Sequence, residues 1–294
     1  MSCWLSLNAV ASDSISIVFT GDILLDRGVR RKIESAGFHR MISPSIAKLF
    51  KQSDVVVGNL ECPATKIKEP VLKRFVFRGE PELLDSLKAV GITHFNLANN
   101  HSIDQGRRGL MDTRRNIEKT GMVALGADST MEKAIQPTLL SNTPRNVWLF
   151  ASLRLPLENT AYLPEKPSVS QQSIDSLITQ VKQLRKKDKN AYIIVSLHWG
   201  WEHHLQPLPQ QRIDAHRLIN AGADILICHH PHTLQTIEEY KGHRIYYSIG
   251  NFIFDQQKPI NTRACVVKLV ITKNKANVTT LPIEIERCTP IIKF

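Results

Sequence analysis

Eight short runs rich in β-branched and aromatic residues punctuate the chain, and six of them stop at a knot of Asp, Glu, Asn or His. The runs are "SISIVF" (14–19), "DVVV" (54–57), "ITHFNLA" (92–98), "MVAL" (122–125), "NVWLFA" (146–151), "AYIIVSL" (191–197), "ADILI" (223–227) and "RIYYSI" (244–249). Runs this short, bounded by turn residues, read as strands. Between them lie helical patterns. In "QQSIDSLITQVKQLRKKDKN", Ile174, Leu177, Ile178, Val181 and Leu184 fall on one face while Lys182, Arg185 and Lys186 take the other. Gly91 and Gly222, in "LKAVGITHF" and "LINAGADILI", stand where a helix closes in the left-handed conformation before the next strand. This alternation implies α/β architecture with a substantially parallel sheet core. The final "ACVVKLVIT" and "ANVTTLPIEI", joined by "KNK", read as an antiparallel hairpin. Residues 152–170, with Pro156, Pro164 and Pro167, read as a long surface loop suited to a lid or substrate-contacting segment.

A chain of 294 residues, 42% of them hydrophobic, can bury a sizeable core. The expected division is a flexible start over 1–14 and one domain over 15–294. Lys and Arg (38) exceed Asp and Glu (27), for a net charge of +11. That excess favours anionic partners. No segment concentrates basic and aromatic residues, so specific nucleic-acid binding is not expected. Cys3, Cys62, Cys228, Cys265 and Cys288 are scattered and never form CxxC, which argues against a zinc ribbon or a disulfide framework and for mostly buried thiols. No apolar run approaches the ~18 residues of a membrane span. "MSCWLSLNAVAS" ends like an export signal but lacks its basic start. It reads as a disordered start, with a cytoplasmic protein, or as a leftover signal, with an exported one.

The strand ends carry the chemistry. The runs deliver Gly21-Asp22, then Gly58-Asn59-Leu60-Glu61, then Asn99-Asn100-His101, with Asp104 three residues on. Further along come His198-Trp199-Gly200-Trp201-Glu202-His203, Cys228-His229-His230-Pro231-His232 and Gly250-Asn251-Phe252-Ile253-Phe254-Asp255. Ligands of α/β sheets gather at the carboxyl ends of strands, so these distant loops can converge on one site. Oxygen and imidazole donors together suit one or two divalent ions, Mn, Zn, Fe or Mg. Such a centre activates water for displacement at phosphorus, and it can equally polarise an amide or ester carbonyl. Arg74, Arg78, Arg107 and Arg108 are candidates to grip an anionic substrate. Trp199 reads equally as packing or as an apolar substrate wall, Glu202 joins the substrate-binding candidates, and Asn251 shapes the rim as a brace or a substrate contact.

The ordered set "FTGDILLDR", "VVVGNLECP", "LANNHSIDQGRRGLMDT", "SLHWGWEH", "HHPHTLQ" and "YSIGNFIFD" resembles the bacterial capsule-synthesis proteins of the CapA, or poly-gamma-glutamate synthesis, type. These are similar to the calcineurin-like metallophosphoesterases, and the resemblance covers about residues 15–256. It implies a four-layer α/β/β/α sandwich of the metallophosphoesterase type, as a single domain with a C-terminal β-hairpin. It makes Asp22 the first-strand ligand, Glu61 the bridging carboxylate and Asn100 the amide ligand of a second metal. His198 and one of His229 or His230 complete that second metal, with His232 on the first. His101 becomes the general acid and Asp104 its support. The chain departs from the phosphoesterase pattern at Leu24, where D-x-H would supply a histidine, and at "GNLE", which puts Asn59 in place of an aspartate and offers Glu61 instead.

Two functions follow as expectations. The first is a bacterial metal-dependent hydrolase acting on an anionic small molecule or polymer, either a phosphoester or a gamma-glutamyl chain. The second is a non-catalytic partner of the polymer synthesis or export machinery with a degenerate metal site.

Overall fold

The structure, a computed structural model, describes residues 13–293. Of the flexible start expected over 1–14, residues 1–12 lie outside the described residues, as does Cys3, and Ser14 already opens the first strand.

Strand alternation sorts side chains between cores. Successive residues of a strand point to opposite faces. Along Ser14–Ile23, Ile15, Ile17 and Phe19 join one apolar cluster while Val18 and Ile23 join another. Along Tyr192–His198, Tyr192 and Ile194 enter the same cluster as Ile15 and Phe19, whereas Ile193, Val195 and Leu197 enter a third. The first cluster is therefore shared by two sheets. On its far side the first sheet meets Val29, Ile46, Phe50, Leu84, Leu110 and Ile117, all from helices. The second meets Leu177, Ile178 and Val181 of the helix Ile174–Lys187, together with Ala215 and Leu218 of Pro209–Ala221. Ser173 caps the former helix by accepting from Ser176 N.

The first sheet runs Thr289–Ile292, Ala276–Glu286, Arg263–Thr272, Ser14–Ile23, Val55–Leu60, His94–Asn96 and Val123–Leu125, and Asn251–Ile253 also pairs with Ser14–Ile23. Its members from Ser14–Ile23 to Val123–Leu125 are parallel. Arg263–Thr272 and Ala276–Glu286 pair antiparallel, with Ile271 opposite Ala276. The second sheet runs Ile237–Tyr240, His243–Tyr246, Ile225–Ile227, Tyr192–His198, Val147–Leu153 and Thr138–Ser141, parallel except at its two edge strands. Gly91 and Gly222 each have φ +113, the left-handed closure expected of them. The 152–170 segment is less loose than its prolines imply: the strand Val147–Leu153 reaches into it, and Ser168–Val169 pairs with Ala127–Asp128. Arg107 fastens the stretch between by donating to the Pro167 and Ala161 carbonyls.

Register sets the donors side by side. Asp22 lies opposite Asn59 on one side and opposite Asn251 on the other. This squeeze needs Gly21, because a Cβ there would stand 2.1 Å from the Gly250 carbonyl oxygen and 2.8 Å from backbone atoms of Asn251. The neighbours are backbone and cannot swing aside. Gly21→Ala is therefore expected to cost about 1–3 kcal/mol or more, read as a lower urea midpoint, and an unchanged midpoint would contradict the contact.

Candidate metal centre

Each donor follows from its strand. Asp22 sits near the end of Ser14–Ile23, Glu61 directly follows Val55–Leu60, and the Asn99–His101 turn follows His94–Asn96. His198 ends Tyr192–His198, and the histidine triplet follows Ile225–Ile227. The first sheet thus supplies the carboxylates and amides, and the second supplies the imidazoles of His198, His230 and His232. All of them meet at the seam between the sheets.

Two groups of donor atoms stand close enough to hold an ion: Asp22, Glu61 and His232, and Glu61, His198 and His230, with the atoms of each group within 4.8 Å of one another. Glu61 belongs to both. Its Oε1 lies 3.5 Å from His198 Nε2 and 3.7 Å from His232 Nε2. Asn100 Oδ1 lies 2.9 Å from the same His198 Nε2. Asp22 Oδ2 lies 3.2 Å from His232 Nδ1, which hydrogen-bonds to Asn251 Oδ1 at 2.9 Å. Both oxygens of Glu61, Asp22 Oδ2 and His230 Nδ1 are buried without a hydrogen-bond partner. Buried polar atoms ordinarily have partners, so this concentration of orphans marks a place for something the protein binds.

The electrostatics divide the donors. Burial, reinforced by Asp22, raises the Glu61 carboxyl well above the ordinary range. Burial works against the Asp22 charge too, but the hydrogen bond and charge of His232 and the nearness of His229 hold its pKa below the usual value. Burial and neighbouring imidazoles push His198 well below its ordinary value and His230 to about 3. Both therefore stay neutral, the form that ligates metals. His232 is the opposite case, because Glu61 and Asp22 overcome burial and raise it to about 10.

Amides brace the carboxylates. Asn59 Nδ2 donates to Asp22 Oδ1 at 2.8 Å, and its own Oδ1 accepts from Asn99 Nδ2 at 3.2 Å. Asn99 Oδ1 in turn accepts from the backbone of His101 and from the Ser102 hydroxyl. His101 Nδ1 lies 2.8 Å from Asp104 Oδ2, and the ring packs 4.3 Å from that of Phe77. Burial lowers the His101 pKa, with Asp104 opposing. Lys73, from an otherwise exposed loop, pairs with Asp104 at 2.5 Å.

A cavity of about 330 Å3 opens over His101 and His232. Arg27, Arg74, Phe77, Glu202, His203 and Phe254 contribute to its wall. Arg27 pairs with Asp255, and its guanidinium lies 4.8 Å from the Phe77 ring centre and 5.6 Å from that of Phe254.

Of the substrate-binding candidates, Arg74 and Glu202 line this cavity, and Arg78, Arg107, Trp199 and Asn251 make contacts elsewhere. Arg78 is spent on Glu80 and the Thr65 carbonyl, and Arg107 on the 152–170 segment. Trp199 is 3% exposed in the core beside Tyr247, whose carbonyl takes its indole N–H. Asn251 is sealed beneath His232, sharing hydrogen bonds with His232, Gln256 and Asn261. Of the two adjacent histidines, His230 enters a donor group, whereas His229 Nε2 turns to the Thr20 carbonyl at 3.0 Å. The sequence pattern alone gave no site role to Asn59, Lys73, Arg27 or His203. Arg27 closes the motif "FTGDILLDR" and was visible there, but nothing in the pattern singles out Lys73.

Residues 16–256 match the family model described as "Bacterial capsule synthesis protein PGA_cap". The chain is 31% identical over 286 residues to the PGA biosynthesis protein CapA of Bacillus subtilis (strain 168), covering 95% of this chain and 74% of that one. It is 30% identical over 217 residues to a probable polyglutamine synthesis accessory protein of Mycobacterium tuberculosis, covering 70% of this chain and 57% of the relative. A crystal structure of a hypothetical protein from Thermus thermophilus superposes with a TM-score of 0.55 at 14% identity, over 92% of this chain and 99% of that one, a likeness of fold alone. On the match across residues 16–256 and the Bacillus relative, the chain belongs to the bacterial capsule synthesis protein PGA_cap family.

Proposed function

We propose that the protein is a metal-dependent hydrolase acting on an anionic substrate, either a phosphoester or a gamma-linked glutamyl polymer. In this reading residues 15–294 form one four-layer α/β/β/α sandwich of the metallophosphoesterase type. The observation that carries it is the shared carboxylate: Glu61 stands in both donor groups, buried, with neither oxygen hydrogen-bonded. A carboxylate left so is costly unless a cation meets it. Family membership and the Bacillus relative's name, PGA biosynthesis protein, support a place in polymer synthesis.

Asp22, Glu61 and His232 would hold one divalent ion, and Glu61, Asn100, His198 and His230 a second. The mixed oxygen and imidazole set suits Mn, Zn, Fe or Mg. Bound there, such ions activate water and neutralise charge that builds on the scissile group. His101 faces the cavity with its Nδ1–H engaged by Asp104, and in its imidazolium form, which Asp104 favours against burial, its Nε2–H would be given to the leaving group. Arg74 and Arg27 on the wall would receive the substrate's negative charge, and the rings of Phe77 and Phe254 would exclude water beside it.

Metal analysis of purified variants tests the donor assignment. His230→Ala and His232→Ala are each expected to lower the ion content to about half of wild type, and Glu61→Ala to abolish it. His101→Gln is expected to keep its metal and lose about 10²–10⁴ of kcat, on a chromogenic phosphodiester or on poly-gamma-glutamate. Arg74→Gln is expected to raise KM by about 10- to 100-fold, since a hydrogen bond to a charged group contributes about 1.5–3 kcal/mol. A wild type that binds no ion and turns over neither substrate overturns the hydrolase and leaves the non-catalytic partner.

A further inference from the structure

Lys73 sits in a loop whose neighbours face solvent, Leu72 at 85% exposure and Arg74 on the cavity wall, yet its own side chain is only 2% exposed. Taking an ammonium out of water costs several kcal/mol, and a buried ion pair seldom repays that with net stability. Folding alone is therefore a weak reason for this placement.

The contacts of the ammonium all end on one neighbourhood. An ammonium has three N–H donors. Lys73 donates to the Asn100 carbonyl at 3.0 Å and forms an ion pair with Asp104 Oδ1 at 2.5 Å, and its ammonium lies 3.3 Å from His101 Nδ1, whose hydrogen is turned to Asp104. The Asn100 carbonyl belongs to the peptide that joins Asn100 to His101. Asp104 splits its oxygens, Oδ1 toward Lys73 and Oδ2 toward His101 Nδ1 and the Phe77 backbone N–H. The same cation thus fixes His101 at both ends, its backbone through the Asn100 carbonyl and its ring through Asp104. The loop is stitched down around this point: Val71 N donates to the Asp104 carbonyl at 3.0 Å, and Glu69 N to Gln105 Oε1 at 3.1 Å.

We infer that Lys73 is a positioning residue that holds His101 and Asn100 in register with the two donor groups, acting through Asp104 and the Asn100 peptide. The inference rests on His101 being the proton donor of the proposed function. Asp104 at 2.8 Å takes the Nδ1 hydrogen of His101, so the ring presents Nε2 to the cavity. Without Lys73, the carboxylate has no cation to set its rotamer and the Asn100 peptide is free to turn.

Full-length wild type, Lys73→Met and Lys73→Gln, each with zinc, are compared by three readouts: thermal midpoint, kcat and KM on bis(p-nitrophenyl) phosphate, and the ¹⁵N–¹H correlation of the histidine rings. Wild type is expected to show a protected Nδ1–H for His101. Lys73→Met is expected to lose that signal and to lower kcat about 10- to 100-fold, the usual effect of removing a residue that orients a ligand or catalytic group, with KM nearly unchanged. Lys73→Gln, which keeps a donor for the Asn100 carbonyl, should fall between, and it carries the test if the Met variant does not fold. Variants that lose thermal stability but keep the His101 signal and kcat would make Lys73 a structural ion pair and overturn the inference. If wild type turns over nothing, the hydrolase reading fails, and the His101 signal still decides whether Lys73 positions it.

Discussion

A carboxyl group sealed between two sheets with neither oxygen hydrogen-bonded is the constraint around which the rest of the site is arranged. Glu61 cannot be satisfied by backbone, because it follows its strand and projects into the seam, and the imidazoles of His198 and His232 approach it without closing a hydrogen bond. The surrounding amides do not quench it either. Asn59 gives its amide hydrogen to Asp22, and Asn99 gives its own to the Leu60 carbonyl and to Asn59 Oδ1. The protein thus turns the buried carboxyl groups of Asp22 and Glu61 toward one point and spends its amides on holding that point still. Polar networks inside proteins specify geometry when every other member is satisfied, and here the unsatisfied members are the donor atoms themselves.

The two departures from the phosphoesterase pattern have structural counterparts. Leu24 is fully buried and packs in the first-sheet core, so no imidazole comes from that position. Asn59, where an aspartate would stand, is neutral and serves Asp22 as a hydrogen-bond donor. Glu61, two residues later, is the carboxyl group common to both donor groups.

Much of this was legible from the chain. Apolar runs of alternating destination located the strands at the centre of both sheets, and polar knots at their ends pointed to Asp22, Glu61, Asn100, His101, His198, His230 and His232 as candidates, because a strand end is where pattern changes abruptly. The gaps have physical causes. The edge strands Thr138–Ser141 and Ile237–Tyr240 are half exposed and lack the apolar density that marks a buried strand. Arg78, Arg107 and Trp199 sit beside motifs in sequence, but proximity in sequence says nothing about which way a side chain turns, and neighbouring carbonyls and carboxylates claimed them. Lys73 was invisible for the converse reason: a lysine in a polar loop reads as surface, and only the fold of residues 69–77 around Asp104 brings it inside.

That carboxylates and amides come from one sheet and the imidazoles from the other has a mechanical meaning. An ion held at this seam would be a rivet between two layers that also meet through apolar contacts and through a few hydrogen bonds, Asn96 to Ser196 and Tyr246 to Thr280 among them. By linkage, a ligand at a hundredfold over its dissociation constant adds about 2.7 kcal/mol to the folded state, and here that increment would be drawn from resisting separation of the sheets. Loss of the ion would then be felt first as a loosening between the layers, with each sheet still intact.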